Sequence, residues 1–315
     1  MRWTALTLSM TLALSSAAAL GSPLGQETTF RADVTEVRVD VQVLDGGKPV
    51  TGLGPADFLV FDEGAPQSIF RFDRDTEPLS VVLLIDVSGS MKKFARQMAA
   101  TAQSALTFLK PGDRAGVLAF SRGTELLSDL SPKFDQVARE IEVGIEQNSL
   151  TSGTAIYQAV LEAARMLEED KRKNPGGRRA VVILTDNASL NYQITQERVL
   201  RSLLSADAVL NALVTSSAER PKPPRPGQYR NPDFEPTDIF AIAEQTGGEA
   251  IRVERTDRVF PQLMERLRSR YSLSFKPPPA PGGMFRKLRI ELSPEAKKKH
   301  GGATIRARSG YYTAS

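Results

Sequence analysis

The pattern of apolar and polar positions divides the chain into three parts. Residues 29–44 have a strand pattern in which valine recurs at every second position from 37 to 43. A period of two predicts a strand with one buried and one solvated face. Two shorter runs, DFLVFD at 57–62 and QSIFRFD at 67–73, predict two more strands. The first part of the chain is therefore predicted to be all-β.

From about residue 80 the pattern changes to strands that alternate with helices. The apolar runs VVLLI at 81–85 and AVVIL at 180–184 are typical of strands buried on both faces of a parallel sheet. This alternation predicts an α/β domain with a doubly wound, mostly parallel sheet. The predicted helices span 92–109, 134–145, 155–169, 196–205, 238–245 and 257–270, and the remaining strands span 113–120, 124–130, 208–214 and 248–253.

One long connection lies within this α/β part. Residues 216–237 contain six prolines and few apolar residues, which predicts an irregular loop. Because the loop follows the strand at 208–214, it leaves the sheet at the edge formed by the carboxyl ends of the strands. We expect it to border a ligand surface, with a solvated connection as the alternative.

The last part of the chain returns to strand patterns at 271–275, 285–292 and 303–312. Three strands with one apolar face are marginal by themselves. We therefore expect the leading and trailing strands to form one small all-β sandwich, with the α/β domain inserted between its two halves. The predicted boundaries are 1–21 for a signal peptide, 22–77 for the N-terminal strands, 78–270 for the α/β domain and 271–315 for the C-terminal strands.

The first residues predict export to the periplasm or to the outside of the cell. Met1-Arg2 is a short positive start, an apolar stretch follows at 5–19, and small residues at 17–21 offer a cleavage site, as in a secretory signal peptide. No later run approaches 18 consecutive apolar residues, so no membrane span is expected. The chain has no cysteine, which excludes disulfides and a cysteine-linked lipid anchor.

Charge does not point to a nucleic-acid partner. The net charge of the 315 residues is +4, and the basic clusters at 171–173, 178–179 and 297–299 lie beside glycine or proline. Such clusters are typical of solvated loops rather than of a nucleic-acid surface.

The candidate chemistry begins where the strand at 81–85 ends. Asp86, Ser88 and Ser90 place a carboxylate and two hydroxyls at positions i, i+2 and i+4, and we expect Gly89 to supply the backbone freedom for a tight turn between them. Oxygen ligands of this kind suit Mg²⁺ or Ca²⁺ and suit zinc poorly. The alternative is a simple turn in which Asp86 caps the next helix. This stretch alone leaves both interpretations open.

Two further segments are expected at the same edge of the sheet. Asp186 ends the second apolar strand, and Thr154 opens the helix before it. In open parallel sheets, ligands bind at the carboxyl ends of the strands. Five oxygen-bearing side chains would leave one position of an octahedral ion for a water or a ligand. The alternatives are a helix N-cap for Thr154 and a turn carboxylate for Asp186. The predicted metal ligands are Asp86, Ser88, Ser90, Thr154 and Asp186.

These motifs resemble a known family. Asp86-Val87-Ser88-Gly89-Ser90, Ser152-Gly153-Thr154 and Thr185-Asp186 resemble the metal-ion-dependent adhesion site of von Willebrand factor type A domains, over about residues 78–270. The flanking strands are similar to those of the related family first recognised in Acidobacteria. The resemblance implies that Ser88 and Ser90 coordinate the ion directly and that Thr154 does so in the ligand-engaged state. It implies that Asp86 and Asp186 hold the ion directly or through water.

The resemblance also sets the expected ion and partner. We expect one ion, Mg²⁺ with Ca²⁺ or Mn²⁺ as alternatives, because Met91-Lys92-Lys93 stands where a second site would need acids. Asn187 replaces a common glycine without removing a ligand. The implied function is a protein-binding module for adhesion or scaffolding, whose ion accepts an Asp or Glu carboxylate of a partner protein. A metal-dependent hydrolase and a purely stabilising metal are the alternatives.

The sequence favours binding over catalysis. Ser88 does not lie in a Gly-x-Ser-x-Gly turn, and a phosphotransferase of the haloacid dehalogenase type would need an acid at position 88. His300, the only histidine, lies in a basic turn, and no phosphate-binding loop is present. The resemblance further implies that the last helix shifts when a ligand binds. Val259, Leu263 and Leu267 predict a narrow apolar stripe on it, and a rigid helix is the alternative.

Overall fold

The computed structural model describes residues 36–74, 77–147, 153–223, 225–227, 229, 231–253 and 256–313. The predicted signal peptide, the beginning of the first predicted strand and Ser152 lie outside these residues. In the described chain, the leading part forms five strands and a short 3₁₀ turn at Pro55–Asp57. The strands are β1 (Val37–Asp45), β2 (Lys48–Pro49), β3 (Phe58–Asp62), β4 (Ala65–Gln67) and β5 (Ile69–Arg74).

The middle part alternates strands and helices. In order it contains β6 (Leu79–Asp86), α1 (Ala95–Leu106), β7 (Arg114–Phe120), β8 (Thr124–Ser131), α2 (Phe134–Gln147), α3 (Ile156–Lys173), β9 (Arg178–Thr185), β10 (Leu190–Tyr192), α4 (Gln196–Ser205), β11 (Ala208–Thr215), β12 (Phe234–Pro236), α5 (Ile239–Thr246), β13 (Ala250–Val253) and α6 (Thr256–Arg268). The trailing part contains β14 (Tyr271–Phe275), β15 (Phe285–Leu292), α7 (Pro294–Lys299), β16 (Thr304–Arg306) and β17 (Gly310–Tyr312).

A six-stranded sheet forms the centre of the α/β part, in the order β13-β11-β9-β6-β7-β8. Neighbouring strands are parallel except for β8, which runs antiparallel to β7 at one edge. The apolar side chains of α3, α4 and α5 pack against one face, and those of α1, α2 and α6 pack against the other. Because the chain leaves β6 towards β7 and leaves β9 towards β11, the strand order reverses between β6 and β9. This reversal is where ligands bind in open α/β sheets.

The leading and trailing strands share two sheets. β1 pairs antiparallel with β14, and β3 pairs antiparallel with β15. The first sheet has the order β16-β1-β14-β5 and the second has the order β17-β15-β3-β4. Apolar side chains from both sheets form one buried cluster that includes Val39, Phe58, Tyr271 and Leu292. The leading strands therefore bury their apolar face only together with strands more than 200 residues later in the sequence.

Three elements differ from the sequence-based expectation. The helix predicted from 92 begins as a 3₁₀ segment at Gly89–Phe94, before α1. The loop at 216–237 is not wholly irregular, because β12 lies within it and pairs with β10. The strand predicted at 303–312 is divided, because β16 pairs with β1 in one sheet and β17 pairs with β15 in the other.

Helix α6 has a broader apolar face than its sequence pattern predicted. Phe260 and Met264 are buried beside Leu263 and Leu267, so the expectation of a narrow stripe was wrong. Two adjacent rows of apolar positions, one residue apart, widen the contact with the sheet. None of the described helices is long and apolar enough to cross a membrane.

The carboxyl end of α6 is also held by polar contacts to both parts of the chain. The Gln42 amide donates to the carbonyl of Arg266 at 3.0 Å, and the Arg178 guanidinium donates to the carbonyl of Arg268 at 2.6 Å. Arg266 itself forms an ion pair with the largely buried Glu249 at 2.9 Å. Movement of α6 along the sheet would have to break these contacts.

Candidate metal centre

Asp86 is the last residue of β6, and its side chain is completely buried. One carboxylate oxygen accepts a hydrogen bond from the backbone N–H of Ser88 at 3.0 Å, and the other accepts one from the Thr185 hydroxyl at 2.6 Å. No arginine, lysine or histidine whose side chain the structure describes pairs with it. Burial raises the pKa of Asp86 to about 6; the hydrogen bonds from Ser88 and Thr185 oppose this rise, and the negative charge of Asp186 adds to it.

The two serines lie in the turn that Asp86 begins. The Ser88 and Ser90 hydroxyl oxygens are 3.2 Å apart, and Ser88 is buried whereas Ser90 is exposed. The N–H of Met91 donates to the carbonyl of Ser88 at 3.0 Å, which closes the turn. Gly89 does not have a positive φ, and a Cβ there would meet no atom within 4 Å. The expectation that the turn requires a glycine at this position was therefore wrong.

Thr154 lies two residues before α3, and the residue at the N-cap is Ala155, which makes no side-chain cap. The N-cap interpretation of Thr154 is therefore wrong. The carbonyl of Thr154 accepts a hydrogen bond from the Ser189 hydroxyl, and the N–H of Ala155 donates to the carbonyl of Ser121 at 2.6 Å. These bonds attach the Thr154 segment to the residues that follow β9 and β7.

Asp186 directly follows β9 and is half-buried. One of its oxygens accepts from the N–H of Ala188 at 3.0 Å, so the predicted turn role of this carboxylate is present. No described residue donates to its second oxygen. Asp186 follows β9, which is the parallel neighbour of β6, and its negative charge adds to the rise in the pKa of Asp86.

The structure thus links the five predicted residues to different degrees. Asp86, Ser88 and Ser90 are joined by hydrogen bonds within one turn. Asp186 interacts with Asp86 through its charge. Thr154 is connected to this group through its backbone and Ser189.

This donor set fits a hard divalent cation. Two carboxylates and three hydroxyls offer only oxygen, which Mg²⁺ and Ca²⁺ prefer. A buried carboxylate without a cation, next to a second carboxylate, is costly, and a bound cation would neutralise it. In the described part of the chain, no group of three or more His, Cys, Asp or Glu residues could hold a metal ion, so this site depends on its hydroxyls.

Three supporting residues were not identified as functional from the sequence. Thr185 orients Asp86, and Ser189 holds the Thr154 segment. Asn187 has a φ of 61°; its side chain donates to the carbonyl of Glu219 at 2.8 Å and accepts from the N–H of Ile239 at 3.2 Å. Asparagine tolerates this left-handed conformation better than most residues. The one sequence signal for the role of Asn187 was that it replaces the glycine common in the family.

One family of known proteins matches the part of the chain that contains this site. The sequence profile of the von Willebrand factor type A domain matches residues 81–188, about a third of the chain, and this range includes all five predicted ligands. A search of curated proteins found no match.

Several solved structures are similar to this one at low sequence identity. An aerotolerance-related membrane protein from Bacteroides fragilis, with multiple mutations to serine, is 19% identical with a TM-score of 0.45, over 60% of this chain and 98% of that one. A von Willebrand factor type A protein from Catenulispora acidiphila is 13% identical with a TM-score of 0.44, over 90% and 75%. Proximal thread matrix protein 1 from the mussel byssus, with a zinc-occupied metal-ion-dependent adhesion site, is 13% identical with a TM-score of 0.45, over 65% and 49%. From the profile match over residues 81–188, the chain contains a von Willebrand factor type A domain.

Proposed function

We propose that the chain is an exported, metal-dependent protein-binding module for adhesion or scaffolding. In this proposal Asp86, Ser88, Ser90, Thr154 and Asp186 hold one divalent cation, Mg²⁺ with Ca²⁺ or Mn²⁺ as alternatives. The observation that carries the proposal is the buried Asp86 carboxylate, which lies beside Asp186 at the reversal of strand order. Of the cationic side chains that the structure describes, none pairs with it.

Four of the five side chains have a defined part in the proposal. Asp86 is fixed by bonds to both of its oxygens, so it supplies negative charge from an orientation set in advance. Ser88 and Ser90 present neighbouring hydroxyls, and Asp186 keeps one oxygen without a described donor. When bound, the ion supplies a positive charge to which an Asp or Glu carboxylate of a partner protein can bind.

Catalysis is not part of this proposal. His300 is the only histidine, and it lies at the carboxyl end of α7, in the trailing part of the chain. In the described structure, the residues that contact Asp86 and Asp186 are neutral hydrogen-bond donors and include no residue suited to act as a general base.

We also propose that residues 22–77 and 271–315 form one all-β sandwich into which residues 78–270 are inserted. The pairing of β1 with β14 and of β3 with β15 supports this arrangement. A fragment of residues 29–77 is then expected to remain unfolded by circular dichroism, whereas residues 78–270 fold. Cooperative unfolding of the 29–77 fragment would contradict the proposal.

A metal-dependent capture experiment tests the binding function. The mature chain is immobilised and exposed to the exported proteins of its source cells in Mg²⁺ or in EDTA. We expect a protein that is retained in Mg²⁺, is released by EDTA and is not retained by the Asp186→Ala variant. The matched control Asp129→Ala removes an exposed carboxylate and should retain it. Equal retention by the Asp186→Ala variant would contradict the proposed function.

A further inference from the structure

The small sheet of β10 and β12 has an inverted distribution of polar and apolar side chains. Its register pairs Leu190 with Pro236 and Tyr192 with Phe234. Since side chains alternate between the faces of a strand, these four share one face, which we call the outer face. Leu190 is 65%, Tyr192 58% and Phe234 42% exposed. The Tyr192 and Phe234 rings also contact each other, with centroids 5.4 Å apart.

The inner face of this sheet is polar. Asn191 is buried; its amide donates to the carbonyl of Glu235 at 3.1 Å and to the Thr237 hydroxyl at 2.8 Å, and its carbonyl oxygen accepts from the N–H of Tyr157 at 3.0 Å. The Glu235 carboxylate accepts from the N–H of Gln196 at 3.1 Å. These bonds attach the sheet to the beginnings of α3 and α4.

This arrangement is the reverse of the usual one. A sheet with one solvated face normally turns its polar side chains to water and its apolar ones inward. Here the polar side chains hold the sheet in place, so the outer face is not needed to attach it. Of the ten exposed large apolar residues found in the described chain, the outer face contributes three. Aromatic clusters held on a rigid support are typical of protein-binding surfaces.

The outer face begins next to the proposed metal centre. Leu190 is four residues after Asp186, so its backbone lies within about 14 Å of that residue. Ser189, immediately before β10, donates to the carbonyl of Thr154 and accepts at its own carbonyl from the N–H of Thr237 at 3.1 Å. A single protein segment can therefore reach both features.

We propose that the outer face docks a large apolar side chain of the same partner segment whose Asp or Glu carboxylate binds the ion. This inference rests on the proposed function, and it specifies the partner as a segment that carries an acid and a large apolar residue close together. The positive charge of a bound ion complements the carboxylate, and Leu190, Tyr192 and Phe234 complement the apolar group.

Selection from a displayed library of random 12-residue peptides tests this inference. The immobilised mature chain is the target, binding is in Mg²⁺ and elution is with EDTA. For the wild-type chain we expect peptides enriched in an acid together with a large apolar residue. For the Tyr192→Ser, Phe234→Ser double variant we expect the acid to remain enriched and the apolar residue to be lost. The matched control Phe70→Ser with Leu126→Ser removes two exposed apolar side chains elsewhere and should select the wild-type pattern.

The outcomes separate this inference from the proposed function. Two outcomes overturn the docking role and leave the metal-dependent function intact. In the first, the wild-type pool is enriched in the acid but not in apolar residues. In the second, the double variant selects apolar residues as strongly as the wild type does. A wild-type pool without acid enrichment overturns both.

A single variant provides a second test in case the double variant does not fold. Leu190 does not belong to the aromatic pair, so Leu190→Ser leaves the Tyr192–Phe234 contact in place. It is expected to weaken the affinity for a selected peptide on the order of tenfold, with unchanged Mg²⁺ affinity. An unchanged peptide affinity overturns the proposal.

Discussion

Replacing Asp86 with asparagine is expected to stabilise the metal-free chain at neutral pH. The pKa of Asp86 rises from 3.8 to about 6, and a tenfold change in a proton equilibrium corresponds to about 1.4 kcal/mol. Burying the charged form therefore costs the folded state about 3 kcal/mol at pH 7.5. Asparagine has nearly the same shape and can still accept the hydrogen bond from Ser88, so Asp86→Asn removes the charge and keeps the turn.

The pH dependence distinguishes this cause from a general change in packing. The folded-state pKa lies above the unfolded value. The contribution of Asp86 is therefore favourable below about pH 4 and is lost as the pH rises through about 6. Relative to the Asp86→Asn variant, which does not titrate there, the metal-free wild type should lose about 2.5 kcal/mol between pH 4 and pH 7.5.

Urea unfolding in EDTA at pH 4 and pH 7.5 measures this difference. The control Asp129→Asn removes an exposed carboxylate and should give the same difference from wild type at both pH values. In Mg²⁺ the order should reverse at pH 7.5, because a ligand that binds only the folded wild type stabilises it by mass action. A stability difference between Asp86→Asn and wild type that is independent of pH in EDTA would refute this reasoning.

Three further predictions concern the scaffold. Gly248→Ala should prevent folding or destabilise the chain severely, because a Cβ there would lie 1.9 Å from the carbonyl oxygen of Leu210. The control Gly176→Ala, whose Cβ would have no atom within 4 Å, should be nearly neutral. Thermal unfolding measures both. Phe260→Ala should cost about 3–5 kcal/mol in urea unfolding with unchanged Mg²⁺ affinity, and a change of less than 1 kcal/mol would contradict its burial between α6 and the sheet. Burial alone would raise the pKa of Asp40, but neighbouring arginines and a hydrogen bond lower it to about 2. The stabilisation it provides, about 2 kcal/mol, is therefore complete above about pH 4 and lost as the pH falls through 2, and a wild-type acid unfolding curve that matches Asp40→Asn would contradict this.

The elements that could be predicted from the sequence are those whose pattern reflects their own burial. The run at 81–85 is apolar at every position because β6 has a strand on each side and helices on both faces. The bounds predicted for α4, β14 and β15 agree with the structure. In each of these elements the spacing of the apolar residues matches the period of the helix or strand that they form.

The elements that were missed depend on distant partners or are very short. β10 and β12 have three residues each and turn their apolar side chains outward, so an interpretation based on burial fails there. α7 spans six residues, fewer than two turns, although Ser293 and Pro294 carry the signal of a helix start. The last predicted strand is interrupted after α7, between β16 and β17, and these two short strands pair in different sheets.

In the candidate site, too, the features with a local sequence pattern could be predicted and the contacts between distant segments could not. The placement of Asp86 and Asp186 near each other could be predicted, because parallel strands bring their carboxyl ends to one edge. The hydrogen bond from Thr185 to Asp86 and the attachment of Thr154 through Ser189 could not, because they join segments 99 and 35 residues apart. Those contacts are made by the tertiary structure and have no local pattern.

Calorimetric titration of Mg²⁺ into the metal-free mature chain is the decisive test of the proposed metal centre. We expect one ion per wild-type chain and no detectable binding to the double variant Asp86→Ala, Ser88→Ala. Both residues lie at the end of β6, outside the apolar clusters, so circular dichroism of this variant should show an intact fold. The control Asp129→Ala should bind one ion with wild-type affinity. A folded double variant that binds Mg²⁺ with unchanged affinity would contradict the assignment of the metal centre.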